Sequence, residues 1–458
     1  MAPQAPTTSQ SAKTPTTGRP ERGFLRDVGE TFGSRLFMLA GAFLIGLITL
    51  RVLGPEGRGV FVVVAVFFEI AAIVASLGLG QANVYFTGRR VETEKIFANS
   101  VFAAAFMGVF SAGAILIGRN YFQTLMPKLD PRFLVAVALI MPARLLLVFT
   151  QHIFLGRNWI KDYNRLRNVE VFAQLLLLAL FVPVLGLGVI GAVTAFFAGG
   201  LVALGFSLFK LRKYVSFRVD FNQLRLSLVF GFKTYLTEIS QFLNFRLDMF
   251  LVAVFLNFRQ AGYYSAAVAL AQVLWNLPFA LGTVLFSRSA SSEETIMDLL
   301  TPRACRIILI IVICCAALLA VFGGQLIGFL FGDAYKSALR PLWLLLPGIV
   351  AFSIHQVLYT DLAGRGRPEV GTIASLIALI FTVGLDLILI PKYGISGAAL
   401  ATSCSYTVGA FYVLRSYSAV TGIAVKRILV PEWDDLRWLR LTFAGLIGRR
   451  LAESDNNG

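Results

Sequence analysis

Twelve apolar stretches of about 17–28 residues follow one another along this 458-residue chain, joined by short polar connections. They fall at 36–53, 59–79, 96–118, 133–154, 169–185, 189–209, 229–256, 262–286, 305–331, 340–362, 370–390 and 395–414. An α-helix rises about 1.5 Å per residue, so each is long enough, or nearly so, to cross a hydrocarbon core of ~30 Å. Composition agrees. Hydrophobic residues make up 57% and charged residues 14%, against about 25% charged in a soluble domain. The sequence therefore predicts an all-α polytopic membrane protein of about twelve transmembrane helices, not a soluble enzyme, a disulfide scaffold or a disordered chain. Cys305, Cys314, Cys315 and Cys404 lie in apolar segments without a CxxC pair, and only two histidines occur. Neither a disulfide framework nor a metal or cofactor site is expected.

The net charge is +16. In a soluble protein that excess would point to nucleic acid. Here it follows the connections. With the N-terminus inside, the inner connections and tails hold 29 of the 41 Lys and Arg, and the outer connections 9. Basic residues accumulate on the cytoplasmic side of membrane proteins, so both termini are expected there and no nucleic-acid partner is needed. The expected organisation is a disordered cytoplasmic tail over 1–23, a six-helix bundle over 24–220, a second over 221–420, and a cytoplasmic tail over 421–458. In the last segment Leu436, Leu439, Phe443 and Leu446 recur at helical spacing, beside Trp433, Trp438 and several arginines. That pattern suits an interfacial helix over 433–453, or a loosely attached tail.

The two halves resemble each other. Gly188-Val189-Ile190-Gly191-Ala192 opens the sixth stretch and Gly394-Ile395-Ser396-Gly397-Ala398 the twelfth, 206 residues on. Gly156-Arg157 and Gly364-Arg365 are 208 apart, and Gly59 and Gly262 are 203 apart. An even number of spans per half preserves orientation, so the pattern predicts a parallel repeat about the membrane normal. Gly186-Leu187-Gly188-Val189-Ile190-Gly191 matches GxGxxG, but no strand precedes it and no acid lies about 20 residues on, so it reads as a tight interhelical turn.

Ionisable residues inside the stretches carry the functional signal, because each costs about 2.5–3.5 kcal/mol at mid-membrane. Glu69 and Arg144 lie midway along the second and fourth stretches, and the seventh carries Lys233, Glu238, Arg246 and Asp248. Thr234, Glu238, Gln241 and Asp248 follow an i, i+4, i+7, i+14 spacing that puts them on one helix face. That face must turn towards water, partners or both. Ion pairs locking helices together, for instance Arg144 with Glu238, are one reading. A polar, partly cationic cavity between the halves is the other.

Several segments resemble one family. Leu53-Gly54-Pro55-Glu56-Gly57-Arg58-Gly59-Val60-Phe61 with Leu77-Gly78-Leu79-Gly80, Asp248 with Gly262-Tyr263-Tyr264-Ser265-Ala266-Ala267, and Pro391-Lys392-Tyr393-Gly394-Ile395-Ser396-Gly397-Ala398-Ala399 are similar to polysaccharide transporters of the O-antigen flippase type. The likeness spans roughly 25–415. It implies the V-shaped two-bundle fold of the multidrug/oligosaccharidyl-lipid/polysaccharide exporter superfamily. It also implies flipping of polyprenyl-diphosphate-linked oligosaccharide across a bacterial cytoplasmic (inner) membrane, with membrane lipids and other polysaccharide assembly proteins as surroundings. Arg144, Lys233 and Arg246, with Gln241, are then the substrate-binding candidates. Glu69, Glu238 and Asp248 are the candidates for coupling to a proton or sodium gradient.

Three other functions compete. A drug or cation antiporter of the same superfamily would favour an acidic, aromatic cavity, against which the three intramembrane bases weigh. A membrane glycan polymerase or ligase commonly needs a large outer loop, and the longest outer connection here, 119–132, has about 14 residues. A membrane assembly component without transport would leave the charges of the seventh stretch purely structural.

Overall fold

The computed structural model describes residues 20–216, 218–289, 294–433 and 435, and for 20–32, 283, 284 and 287 the backbone alone. The tail 1–19 and the amphipathic pattern after Asp435 lie outside the described residues.

Helices account for nearly all of the described chain. The first, α1 (Pro20–Ser76), is broken at Gly54 into arms 20–53 and 55–76. Gly54 has φ 66° and ψ 179°, a backbone open to glycine, and Pro55 starts the second arm without needing an N–H partner. Then come α2 (Leu79–Gly88), α3 (Thr93–Ile117), α4 (Arg119–Leu125), α5 (Pro131–Gly156), α6 (Ile160–Ala179), α7 (Gly188–Leu211) and α8 (Phe221–Phe255). The second half comprises α9 (Phe258–Ser289), α10 (Glu294–Phe331), α11 (Leu339–Gly364), α12 (Glu369–Tyr393), α13 (Ile395–Thr421) and α14 (Val425–Leu429). Asp130 caps α5 by accepting from the Arg132 N–H (2.9 Å), and Asp220 caps α8 by accepting from that of Gln223 (3.0 Å).

Ten described segments are long and apolar enough to cross a membrane. One of them, 33–76, holds both arms of α1, and α8, with its five charges, is not among the ten. Counting both arms and α8 gives the twelve spans expected. The helices overrun the apolar stretches: α10 starts at Glu294 rather than 305, and α8 at Phe221 rather than 229. The short helices α2 and α4 occupy segments read as plain connections.

The halves pack alike. α6 lies against α7 as α12 lies against α13, α3 against α5 as α10 against α11, and the arm 20–53 against α6 as α8 against α12. Details repeat too. A Cβ on Gly191 would crowd the Phe181 carbonyl oxygen, and one on Gly397, 206 residues on, the Leu389 carbonyl oxygen. Arg157 and Arg365 end α5 and α11 with φ of −79° in both.

Beyond α14, Glu432 and Asp435 are clamped to the second half. Arg306 of α10 donates through Nε (2.5 Å) and Nη2 (3.0 Å) to the Asp435 carboxylate, which also accepts from Arg303 Nε (3.2 Å) and the Glu432 N–H (2.9 Å). Burial pushes the Asp435 carboxyl up, but its bonds to Arg306 and to the Glu432 backbone outweigh this and hold it below the ordinary carboxylate range.

Candidate functional site

Helix α8 organises the polar interior. At 100° per residue its buried face brings Ser240, Asn244, Asp248 and Val252 round one turn apart. Asn244 donates to the Ser375 carbonyl (2.7 Å) and accepts from Thr382 Oγ1 (3.3 Å), which also meets Ser405 Oγ (2.6 Å). Asp248 Oδ2 accepts from the Tyr264 hydroxyl (2.5 Å) and from Thr402 Oγ1 (3.3 Å), while Oδ1 accepts from the Met249 N–H (2.7 Å). One turn beyond Thr382 on α12 lies Asp386, 0% exposed. Neither of its carboxylate oxygens has a hydrogen-bond partner among the described residues, and it lies within electrostatic reach of Asp248.

The face read from sequence divides. Glu238 and Asp248 stand about 80° apart around the helix. Asp248 turns into the second half, whereas Glu238 lies within electrostatic reach of His152 on α5. Gln241 lines a cavity inside the second half.

The basic candidates also take different places. Arg144 Nη2 donates to both oxygens of Glu69 (2.9 Å each) and Nη1 to Glu170 (3.4 Å), which also accepts from Arg167 (3.0 Å). Two bases and two acids thus neutralise one another within the first half. Arg144 pairs there and not with Glu238, and Glu69 is its partner. Lys233 is exposed and has no ion-pair partner among the described residues. Arg246 is half-buried, likewise without an ion pair or hydrogen bond among them, and lies within electrostatic reach of Asp248, Tyr406 and Arg58.

Arg58 is the base that sequence reasoning passed over, since it falls in an outer connection. In the structure it starts the arm 55–76 and reaches across to the second half. Its Nη1 donates to Thr49 Oγ1 (2.5 Å) and its Nε to Ser265 Oγ (3.3 Å), with the guanidinium 5.6 Å from the Phe61 ring centroid. No carboxylate lies within ion-pair distance of it among the described residues. Two guanidinium groups, one from each half and neither in an ion pair among the described residues, therefore lie within electrostatic reach of each other at the interface between the halves.

Asp386 also lies outside the candidates read from the sequence. The signal was available: Ser375, Thr382 and Asp386 recur on the buried face of α12, a polar stripe within an otherwise apolar helix. Among the described residues no group of three or more His, Cys, Asp or Glu could hold a metal ion.

Solved structures share the fold. The lipid II flippase MurJ in an inward closed conformation superposes with a TM-score of 0.73 at 16% identity, covering 92% of this chain and 93% of that one. An inward-facing multidrug resistance MATE family transporter of the MOP superfamily gives 0.69 at 17% identity, covering 85% and 96%. Among curated relatives, the probable low-salt glycan biosynthesis flippase Agl15 of Haloferax volcanii is 22% identical over 246 residues, 53% of this chain and 51% of its own length. The uncharacterized membrane protein MJ1068 of Methanocaldococcus jannaschii is 24% identical over 190 residues, 41% of this chain and 36% of its own. The chain thus spans about half, or less, of the length of these curated relatives. The polysaccharide biosynthesis protein family model matches residues 48–340, well over half of the chain, and the protein belongs to that family.

Proposed function

We propose that the protein is a flippase. It carries lipid-linked oligosaccharide, sugar joined to a polyprenyl diphosphate, from the inner to the outer leaflet of a cytoplasmic membrane by alternating access, with both of its termini on the cytoplasmic side. The observation that carries this reading is the Arg58–Arg246 pair: two cations, one from each half, within electrostatic reach of each other and neither held in an ion pair among the described residues. A diphosphate supplies the missing negative charge, and the attraction is strengthened where the local dielectric is low. Because the two cations belong to different halves, rocking the halves apart would loosen the grip on the headgroup and rocking them together would restore it. The names of Agl15 and MurJ, both flippases, support the same class of cargo. The activity is transport, not catalysis.

Energy input would come through Asp248 and Asp386. Two buried carboxylates within electrostatic reach of each other need a proton or a monovalent cation to offset their repulsion. Asp386 has acceptor capacity to spare, whereas Glu69 is engaged by Arg144. Lys233 serves as an exposed attractor for the headgroup on α8. The second reading, a cation antiporter, draws on the same acidic pair and on the MATE-like fold.

The deciding experiment reconstitutes the protein in vesicles and follows a lipid-linked oligosaccharide becoming accessible on the far side. Arg58→Glu and Arg246→Glu should each abolish the movement with the protein still inserted. Full movement in both variants would overturn the reading, and ethidium efflux without lipid movement would favour the antiporter.

A further inference from the structure

Next to the cationic pair, inside the second half, lies a cavity of about 180 Å³ between α8, α9, α11, α12 and α13. Its walls are of two kinds. Phe352 is central: the His355 ring stacks on it at 5.6 Å and 10°, and Tyr406 and Phe245 stand 5.3 and 5.8 Å from it. Between the rings open the side-chain amides of Gln241 and Gln356, while that of Asn244 is held by Ser375 and Thr382. Gln241 has no hydrogen bond among the described residues, and the Gln356 amide makes only a long contact to Thr360 (3.5 Å). Trp275, packed behind Phe352 at 5.4 Å, has a buried indole N–H without a hydrogen-bond partner among the described residues. No Asp, Glu, Lys or Arg lines the cavity.

That combination selects by chemistry. A polyprenyl chain would fill the space but leave the Gln241 amide, and most of the Gln356 amide, unsatisfied, at a cost for each buried polar group. An organic cation would find aromatic faces but no carboxylate in the lining. A sugar ring matches both walls. Its C–H face lies on an aromatic ring, and its equatorial hydroxyls bond to amides that can both donate and accept. The position agrees as well. Phe245 precedes Arg246 in the chain, and Tyr406 lies within electrostatic reach of the Arg246 guanidinium.

We infer that this cavity is a sugar subsite, taking the ring nearest the diphosphate while Arg58 and Arg246 hold the diphosphate itself. The inference rests on the flippase reading and narrows it. The subsite recognises a neutral, aromatic-stacked sugar, and so separates sugar-bearing carrier lipid from the bare carrier.

The test uses the purified full-length protein and four probes: undecaprenyl diphosphate, and the same lipid bearing one glucose, galactose or N-acetylglucosamine. The readout is the ratio of affinities for sugar-bearing and bare lipid. The wild-type protein should bind at least one glycosylated form about tenfold more tightly than the bare lipid. Phe352→Leu keeps bulk but removes the aromatic face, and Gln241→Met keeps length but removes the amide. Each should cut that ratio to below about threefold, whereas Arg246→Gln should weaken all four probes alike. A wild-type ratio near one for all three sugars would overturn the subsite while leaving the flippase reading standing. So would a ratio untouched by both Phe352→Leu and Gln241→Met, or binding of tetraphenylphosphonium in place of any sugar preference. Failure of the wild-type protein to bind any of the four lipids would overturn the flippase reading and the subsite together.

Discussion

Gly59 and Gly262 seat the two halves of the molecule against each other: a Cβ on Gly59 would overlap the Phe258 carbonyl oxygen, and one on Gly262 the Pro55 carbonyl oxygen. Each overlapped carbonyl belongs to the residue four positions before the partner glycine. The contact therefore maps onto itself when the halves are exchanged, as a pseudo-twofold axis through this point requires. Gly78 and Gly231 make a second reciprocal backbone contact at the far end of the arm 55–76. At 1.5 Å per residue the two contacts stand about 30 Å apart, one near each end of the interface between the halves.

Widening the Gly59–Gly262 contact should bias which end opens. Gly59→Leu or Gly262→Leu should wedge the halves apart at that end and abolish lipid movement with the protein inserted. The check is thiol reactivity of a cysteine placed at Ser265, which should rise severalfold in either variant. Unchanged reactivity together with wild-type movement would show that this contact does not gate.

The network of Arg144, Glu69, Glu170 and Arg167 predicts a stability effect. Removing one partner of the partly buried Arg144–Glu69 ion pair strands the other charge, at a cost below the ~3–5 kcal/mol typical of a fully buried pair. Arg144→Gln should therefore lower the melting temperature in detergent, and Glu69→Gln added to it should recover part of the loss. Loss of lipid binding without any loss of stability would instead place Arg144 in the headgroup site.

Periodicity in the chain exposed the spans and the repeat, because 3.6-residue spacing and apolar length are local properties. Partnership was not legible. Glu69 and Arg144 are 75 residues apart, and nothing local says that they meet. Read singly, each looked like a functional charge. Arg58 was hidden differently. It lies just after the Gly54 break, so it passed for a loop base, whereas the kink restarts the helix at once and carries Arg58 to the interface. On α8, extending the spacing to i+14 let the face drift, since 14 residues return about 40° short of four full turns. Glu238 and Asp248 were grouped although they serve different surroundings.

Orientation yields a topological prediction. With 29 basic residues assigned inside and 9 outside, a cysteine at Lys128 should react with a membrane-impermeant thiol reagent in intact cells. Reaction only after the membrane is opened would invert the assignment.

Asp435 predicts a pH dependence. Its carboxyl is held below the ordinary range in the folded protein. A lowered folded pKa adds stability that is complete above the unfolded value, about 3.9, and lost as pH falls through the folded value. Wild-type melting temperature should therefore drop more steeply between about pH 5 and pH 3 than that of Asp435→Asn, which lacks the titrating group. At pH 7 the variant should already be destabilised by about 3 kcal/mol, since it strands Arg306 in a buried site. Parallel melting curves for the two proteins across that pH range would count against the clamp.

Asp386 carries the sharpest test of coupling. It is fully buried, without a hydrogen-bond partner among the described residues, and faces the charge of Asp248. If a proton or a monovalent cation bridges the two, Asp386→Asn removes one ligand but keeps the shape. Lipid movement should then no longer respond to an imposed proton or sodium gradient, while slow gradient-independent movement persists. Asp248→Asn should also break coupling, and should in addition weaken the contact to Tyr264 and Thr402, lowering stability by about 1–3 kcal/mol. Comparing the two variants separates the roles: a gradient response lost in both, with stability lost mainly in Asp248→Asn, assigns the ion to the pair. A gradient response retained in Asp386→Asn would make Asp386 a passive buried acid and move the search for the coupling group to Glu238, beside His152.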